Sequence, residues 1–257
     1  MSYLCCSWLW GGAYLVYGYL QTGEWFLRGV ELKGGTAITL QGSLDEVKAS
    51  LAGLDVRVRQ VGVDRVLVEV PEGTDPQQIL GLLGVEEASI QTVGPSLGEA
   101  FWVQAQIGIV MAFVLMGGMV FFLFRKTIPA LSVIFSVVAD IVVTLALMQV
   151  FAIPLTLAGL GALLMLIGYS VDTDILLASR LLRGSGPIDE RVKGALKTGL
   201  TITFTTIGAM AVFVLAGVSD VITQIASVLL IGLVIDLGNT WLTNAGILRW
   251  YMERRAL

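Results

Sequence analysis

Histidine is absent from this 257-residue chain, and the two cysteines, Cys5 and Cys6, are neighbours in an apolar run. A zinc site takes about four His, Cys or carboxylate ligands, so no metal, no cofactor and no metalloenzyme chemistry are expected. Two adjacent cysteines build no disulfide framework and read as small buried residues. Charge is scarce as well: 14% of residues are charged against 56% hydrophobic, and the mean hydropathy is +0.83. That balance excludes an ordinary soluble domain and describes a polytopic membrane protein. No basic patch with interleaved aromatics occurs, so nucleic acid is not an expected partner. The first apolar run, residues 3–20, has no Lys or Arg before it and no small-residue cleavage site after it. It therefore reads as a retained helix rather than a secretory leader.

What is present is long apolar runs. A spanning helix takes about 20 apolar residues, and six candidates qualify: 3–20, 103–124, 128–150, 154–178, 198–217 and 221–247. The expected domains are a first transmembrane helix (1–20), an external soluble domain (21–101), a five-helix bundle (102–250) and a cytoplasmic tail (251–257). Bases fall at Arg125 and Lys126, at Arg180, Arg183, Arg191, Lys193 and Lys197, and at Arg249, Arg254 and Arg255. The loops around Ile153 and Ser219 carry none. The positive-inside rule then puts both termini in the cytoplasm and residues 21–101 outside.

The insert is acidic, with twelve acids against six bases. Residues 36–41 are rich in β-branched side chains and alternate, as a strand does. Ser43-Leu-Asp-Glu46 is a capping box opening a helix to about Leu54. Residues 56–61 and 66–70 form a hairpin around Asp64 and Arg65. Thr74-Asp-Pro-Gln77 opens a second helix to about Leu83, with Pro76 tolerated in its first turn. A last strand covers 87–93. The order β-α-β-β-α-β predicts a ferredoxin-like α+β domain between the first two spans. It holds no catalytic constellation.

Acidic side chains inside apolar helices are costly unless they face a polar interior. In the third span Ser132, Ser136, Asp140 and Thr144 share one face at a spacing of four. In the fourth, Asp172 and Asp174 project about 200° apart, so they cannot line one cavity together. Asp172 shares a side with Tyr169, Leu176 and Arg180, the last about 12 Å further along. Asp174 points to a second helix, a partner subunit or the interface, and ranks below Asp140 and Asp172. Gly159, Gly161 and Gly168 permit close helix approach. The fifth span has a stripe of Thr198, Thr201, Thr205 and Gly208. The sixth has Asp236, Asn239, Thr240 and Thr243 on one face. Threonine in such helices mostly bonds its own backbone, whereas Arg180 near a helix end either functions or snorkels. Asp140, Asp172, Arg180 and Asp236 are the candidates for a proton relay. Asp174, Thr201, Thr205 and Asn239 are secondary candidates.

Several motifs carry a resemblance. The run Ile167-Gly-Tyr-Ser-Val-Asp172, continuing to Arg180, resembles the fourth-helix signature of the SecF family, with Gly168, Tyr169 and Ser170 inside it. Gly29-Val-Glu-Leu-Lys-Gly-Gly-Thr36 is similar to the family's element after the first span and supplies Gly34, Gly35 and Thr36. Val93-Gly-Pro-Ser-Leu-Gly98 and the Thr-rich 198–206 match the entry to the second span and the fifth helix. The likeness covers nearly the whole chain. It departs at Asp172, where Asn is usual, at Thr173, where Asp is usual, and at Ser179, Glu31, Lys33 and Asp236. Those departures look archaeal, and archaea are expected to lack the SecA motor.

The resemblance implies an RND-superfamily membrane half that pairs with SecD. It implies a role in moving secretory polypeptides outward behind a SecYEG-type translocon, driven by the proton gradient. Asp140 and Arg180 match the family's proton-transfer aspartate and fourth-helix arginine. No enzymatic activity is implied. Two alternatives stand beside this one. The carboxylates could simply hold the chain to SecD. An intramembrane aspartyl protease would need Asp140 to face Asp172 or Asp236, but the Tyr-Asp and Gly-x-Gly-Asp elements of that class are missing.

Overall fold

The computed structural model describes residues 11–20, 23, 25–54, 56–60, 65–71, 74–84 and 88–256. Residues 11–20 are helical (α1); the start of the expected first span, with Cys5 and Cys6, lies outside the described residues. Four strands follow in the insert: β1 (Gly35–Gln41), β2 (Arg57–Gln60), β3 (Arg65–Val70) and β4 (Ala88–Val93). They form one antiparallel sheet in the order β2-β3-β1-β4. Alternation sets which side is buried. Ile38, Leu40, Val66, Val68 and Val70 face two helices, α3 (Leu44–Ser50) and α4 (Pro76–Leu83), and close a small core with Val47, Leu51 and Ile79. Ser43 and Glu46 form the capping box: the Ser43 hydroxyl accepts from Glu46 N and donates to Glu46 Oε2 at 3.0 Å. Asp75, rather than Thr74, caps α4 through Gln77 N at 2.9 Å. The expected hairpin connection, 61–64, and position 87 lie outside the described residues.

A one-turn helix, α2 (Val30–Lys33), leads into β1 through Gly34 and Gly35, at φ +90° and +131°. A Cβ on Gly34 would stand 2.8 Å from Pro95 Cα, and one on Gly35 2.8 Å from Val70 O. Both glycines are therefore required where β1 squeezes between β3 and the start of the second span. Thr36 pairs across the sheet with Thr92, hydroxyl to hydroxyl at 3.1 Å.

Five helices among the described residues are long and apolar enough to cross a membrane. They are α5 (Pro95–Phe124), α6 (Thr127–Val150), α7 (Leu157–Arg183), α8 (Ile188–Ala216), and α9 (Asp220–Gly238) continued by a π-helical turn (Asn239–Asn244) and α10 (Ala245–Ala256). The protein is a multi-pass membrane protein. Two boundaries differ from expectation. The fifth helix starts at Ile188, with Asp189 and Glu190 in its first turn. Those acids suit a helix N-terminus, so Arg191, Lys193 and Lys197 are helical rather than in a loop. The residues expected as a tail continue the last helix to Ala256. Helices α6, α7 and α9 make the centre, with Val137, Leu163, Leu166, Leu177, Leu229 and Leu233 between them. Helices α5 and α8 lie outside: 17% and 11% of their apolar windows are buried, against 61% and 56% for α6 and α7.

The insert is tied to one rim of the bundle. Gly29 N donates to Leu155 O at 2.8 Å and Leu155 N to Leu27 O at 2.7 Å. Glu31 Oε2 accepts from Leu157 N at 2.8 Å, capping α7. Arg65 reaches Asp220 at 3.2 Å. The open face of the sheet and this rim enclose a cleft of about 1240 Å³ lined by Arg59, Arg65, Glu69, Thr156, Asp220 and Gln224. Burial pushes the Glu69 carboxyl up from its ordinary value, against the pull of Arg59, and pushes the Arg59 guanidinium down.

Candidate functional site

Three carboxyls meet in the centre of the bundle. Asp140 and Asp174 are fully buried and Asp236 is 1% exposed. Each rides on an inward stripe. On α6 the spacing of four puts Ser132, Ser136, Asp140 and Thr144 on the buried face. On α7 the buried series runs Leu163, Leu166, Ser170, Thr173, Asp174, Leu177 and Leu181, steps of mostly three and four. On the last helix Asp236 is followed by the π turn, in which Asn239, Thr240, Thr243 and Asn244 are all buried. A π turn bonds residue i to i+5 and often marks a functional position.

The polar groups form two levels. At the first, Asp140 Oδ2 accepts from the Ser170 hydroxyl at 2.6 Å and Oδ1 from Asn239 Nδ2 at 2.6 Å. The Thr173 hydroxyl, which donates to Ser170 O at 2.9 Å, lies 3.3 Å from Asp236 Oδ2. At the second, nearer the α5–α6 and α7–α8 turns, Asp174 Oδ1 accepts from Asn244 Nδ2 at 2.7 Å. Thr240 joins the levels, its hydroxyl 2.9 Å from Asp174 Oδ1 and 3.1 Å from Asp236 Oδ1.

Counting hydrogens constrains the chemistry. A threonine hydroxyl carries one hydrogen, so Thr240 cannot donate to both carboxyls. Both contacts are attractive when one carboxyl carries a proton and donates to Thr240. Among the described residues none of the three aspartates has an ion-pair partner. An unpaired buried charge is costly in so apolar a setting. Three carboxyls from three helices thus share one buried hydrogen-bonded cluster, with the Thr240 hydroxyl between Asp236 and Asp174.

On the opposite side apolar packing separates the cluster from the cleft. Leu166 fills the space where a Cβ on Gly232 would stand, with Leu163, Leu229 and Leu233 buried around it. From Ser227 to Asp236 the helix rises about 13 Å.

The structure reverses the expected order of the two fourth-span aspartates. Asp174 is in the cluster; Asp172 is exposed on the far side of α7. They do project apart, but the stripe that includes Ser170 and Leu177 carries Asp174 inward. Arg180 is also exposed, with Nη2 3.4 Å from the Thr198 hydroxyl, and is not joined to the carboxyls. Thr201 and Thr205 are exposed and donate to Lys197 O and Ile202 O of their own helix. Gly168 is exposed and Tyr169 half-buried, while Ser170 is in the site. Asp140, Asp236 and Asn239 stand where the stripes put them. Sequence reasoning passed over Asn244 and gave Thr173 only as a departure from the family pattern. Asn244 lies four residues beyond Thr240, and that spacing was the available signal.

Comparison with known proteins agrees with this architecture. The family model "Protein export membrane protein SecD/SecF, C-terminal" matches residues 80–254. The chain is 41% identical over 256 residues to the protein-export membrane protein SecF of Pyrococcus furiosus, covering 94% of this chain and 86% of that protein. It is 41% identical to the SecF of Methanothermobacter thermautotrophicus, over 88% of this chain and 85% of that one. For the SecF of Haloferax volcanii the figures are 37%, 93% and 88%. Among solved structures, SecDF from Thermus thermophilus, described as a translocon-associated membrane protein, shares the fold with a TM-score of 0.79 at 21% identity. The match covers 98% of this chain and 38% of that one. The chain belongs to the SecF family of protein-export membrane proteins.

Proposed function

We propose that the chain is the SecF-type half of an export complex with SecD, and that it uses the proton gradient to help draw secretory polypeptides outward beyond a SecYEG-type translocon. The observation that carries the proton role is the hydroxyl of Thr240 between Asp174 and Asp236, with Asp140 held beside them by Ser170 and Asn239. Asp140, Asp174 and Asp236 are the relay. The sheet order and antiparallel pairing support a ferredoxin-like external domain over residues 21–101. Six spans follow if residues 3–20 form the first, with both termini in the cytoplasm.

A partner is supported by Asp172. It is exposed about 22 Å along α7 from Leu157, in an apolar span. Lipid is a poor neighbour for a carboxylate there; a polar surface on a second membrane half is a good one. Arg180, Thr201 and Thr205, exposed on α7 and α8, belong to the same outward side of the proposal. That the chain matches 38% of the SecDF structure leaves room for such a half.

The test is purification from native membranes. A second six-span protein should accompany the chain, and loss of either should slow maturation of secreted polypeptides. A chain that purifies alone and whose deletion leaves export unchanged would overturn the proposal.

A further inference from the structure

We propose that the cleft between the open face of the β-sheet and the rim of the bundle holds an extended polypeptide segment by its main chain, with little regard to its side chains. The cleft deepens the export role proposed above and rests on it for its purpose, though not for its detection.

Size and lining point to a chain rather than a small molecule. At about 1240 Å³ the cleft exceeds the roughly 300–1,000 Å³ of small-molecule sites, which are mostly apolar. Its walls carry amides and hydroxyls on both sides instead: Thr39, Gln41 and Gln91 from the sheet, Ser219 and Gln224 from the rim. Pairing sets one row of side chains straight across the sheet, with Arg59 opposite Leu67, Leu67 opposite Thr39, and Thr39 opposite Ser89. Residues paired in this way share a face. Strands about 4.8 Å apart make that row about 14 Å wide, the length of roughly four residues of extended chain.

The charges select the main chain. Arg65 is taken by Asp220 at 3.2 Å, and Glu31 by Leu157 N at 2.8 Å. That leaves Arg59 and Glu69. The Arg59 Nε is buried without a hydrogen-bond partner, and Glu69 is 8% exposed on the same cleft. The two attract through space but form no ion pair among the described residues. A buried donor without an acceptor is costly. A peptide group supplies what both side chains lack, a carbonyl for the guanidinium and an N–H for the carboxylate. An acidic or basic ligand would satisfy one of them and be repelled by the other. Main-chain hydrogen bonds give affinity in the recognition of extended peptides, and side-chain pockets give specificity. The opposed charges and neutral amides of this cleft provide the first.

Fluorescence anisotropy of a labelled, unfolded Ser/Ala/Gln peptide with the full chain, in the complex in which it is purified, tests this. Saturable binding is the expected result. Placing Asp or Lys in the peptide changes its affinity by under about threefold, whereas N-methylating alternate peptide groups weakens it by at least about tenfold. Arg59→Met weakens binding by at least about tenfold and Thr39→Val by about threefold. Lys48→Ala, on the helix-covered side of the sheet, leaves it unchanged. Hydrogen exchange of β1 and β3 checks that the variants stay folded. No saturable binding, or binding indifferent to both cleft substitutions, overturns the site. An affinity that follows peptide charge and ignores N-methylation overturns main-chain recognition. Because the readout needs no transport, it is separable from the export role. Export that depends on the chain while Arg59→Met and Thr39→Val bind peptide normally sinks only this inference. Peptide held in the cleft with export unchanged on deletion sinks only the export role.

Discussion

Ser170 on α7 donates to Asp140 Oδ2 on α6 at 2.6 Å, both side chains fully buried. Removing that donor leaves a carboxyl oxygen unsatisfied, at a cost of about 1–3 kcal/mol. Ser170→Ala should therefore lower the thermal midpoint of the purified complex. It should also slow proton flux more than Ser170→Thr, which keeps a hydroxyl. Equal flux in the two variants would show that the hydroxyl is packing only.

Gly232→Ala should destabilise the bundle, since the new methyl overlaps Leu166 and overpacking costs about 1–3 kcal/mol. Leu166→Ala should destabilise it too, by about 2–5 kcal/mol through the cavity it leaves. The double variant should cost less than the sum, because the two changes compensate in one space. Leu166→Ala alone should also raise proton leak, as it thins the apolar packing between the cleft and the carboxyls. Unfolding curves and a pH-dye assay in vesicles read both effects.

The Arg65–Asp220 pair spans 3.2 Å with side chains 37% and 34% exposed. Such a pair is worth under about 1 kcal/mol and is screened by salt. Arg65→Ala should leave the overall midpoint nearly unchanged. It should raise hydrogen exchange in the α8–α9 turn at low ionic strength, and the difference should shrink in high salt.

Glu69 is 8% exposed, and burial raises its affinity for a proton despite Arg59 nearby. A raised folded-state value means the folded domain binds the proton more tightly than the unfolded chain does. Its favourable contribution is fully present below the ordinary value near 4.5 and is lost as pH rises through the raised one. Glu69→Gln should therefore make the α+β insert more stable than wild type at neutral pH, with the gap closing in acid. Hydrogen exchange of β1 and β3 across pH measures it; a variant less stable at neutral pH would contradict the sign.

The insert was legible because its strands alternate and the Ser43–Glu46 capping box is explicit; the second helix was legible too, though its cap is Asp75 rather than Thr74. Asp140 was legible from a strict spacing of four with Ser132, Ser136 and Thr144. The choice between Asp172 and Asp174 was not. Two residues about 200° apart are equally compatible with an inward face until the neighbouring helices are placed. The burial of Ser170, Leu177 and Leu181 settles it, and that shows only once α7 is packed against α6 and α9. The π turn at Asn239–Asn244 leaves no trace in hydropathy, so Asn244 went unnoticed although Thr240 did not. The early start of α8 was hidden by its basic residues, which read as loop yet are compatible with a helix whose first turn carries Asp189 and Glu190.

The central claim is that Asp140, Asp174 and Asp236 carry protons. Proton flux measured in vesicles holding the full complex with Asp140→Asn tests it most directly, alongside co-purification of the partner. The account predicts an assembled complex whose flux falls to the level of empty vesicles. Wild-type flux in an assembled Asp140→Asn complex would contradict it, and loss of assembly would mark the carboxyl as structural.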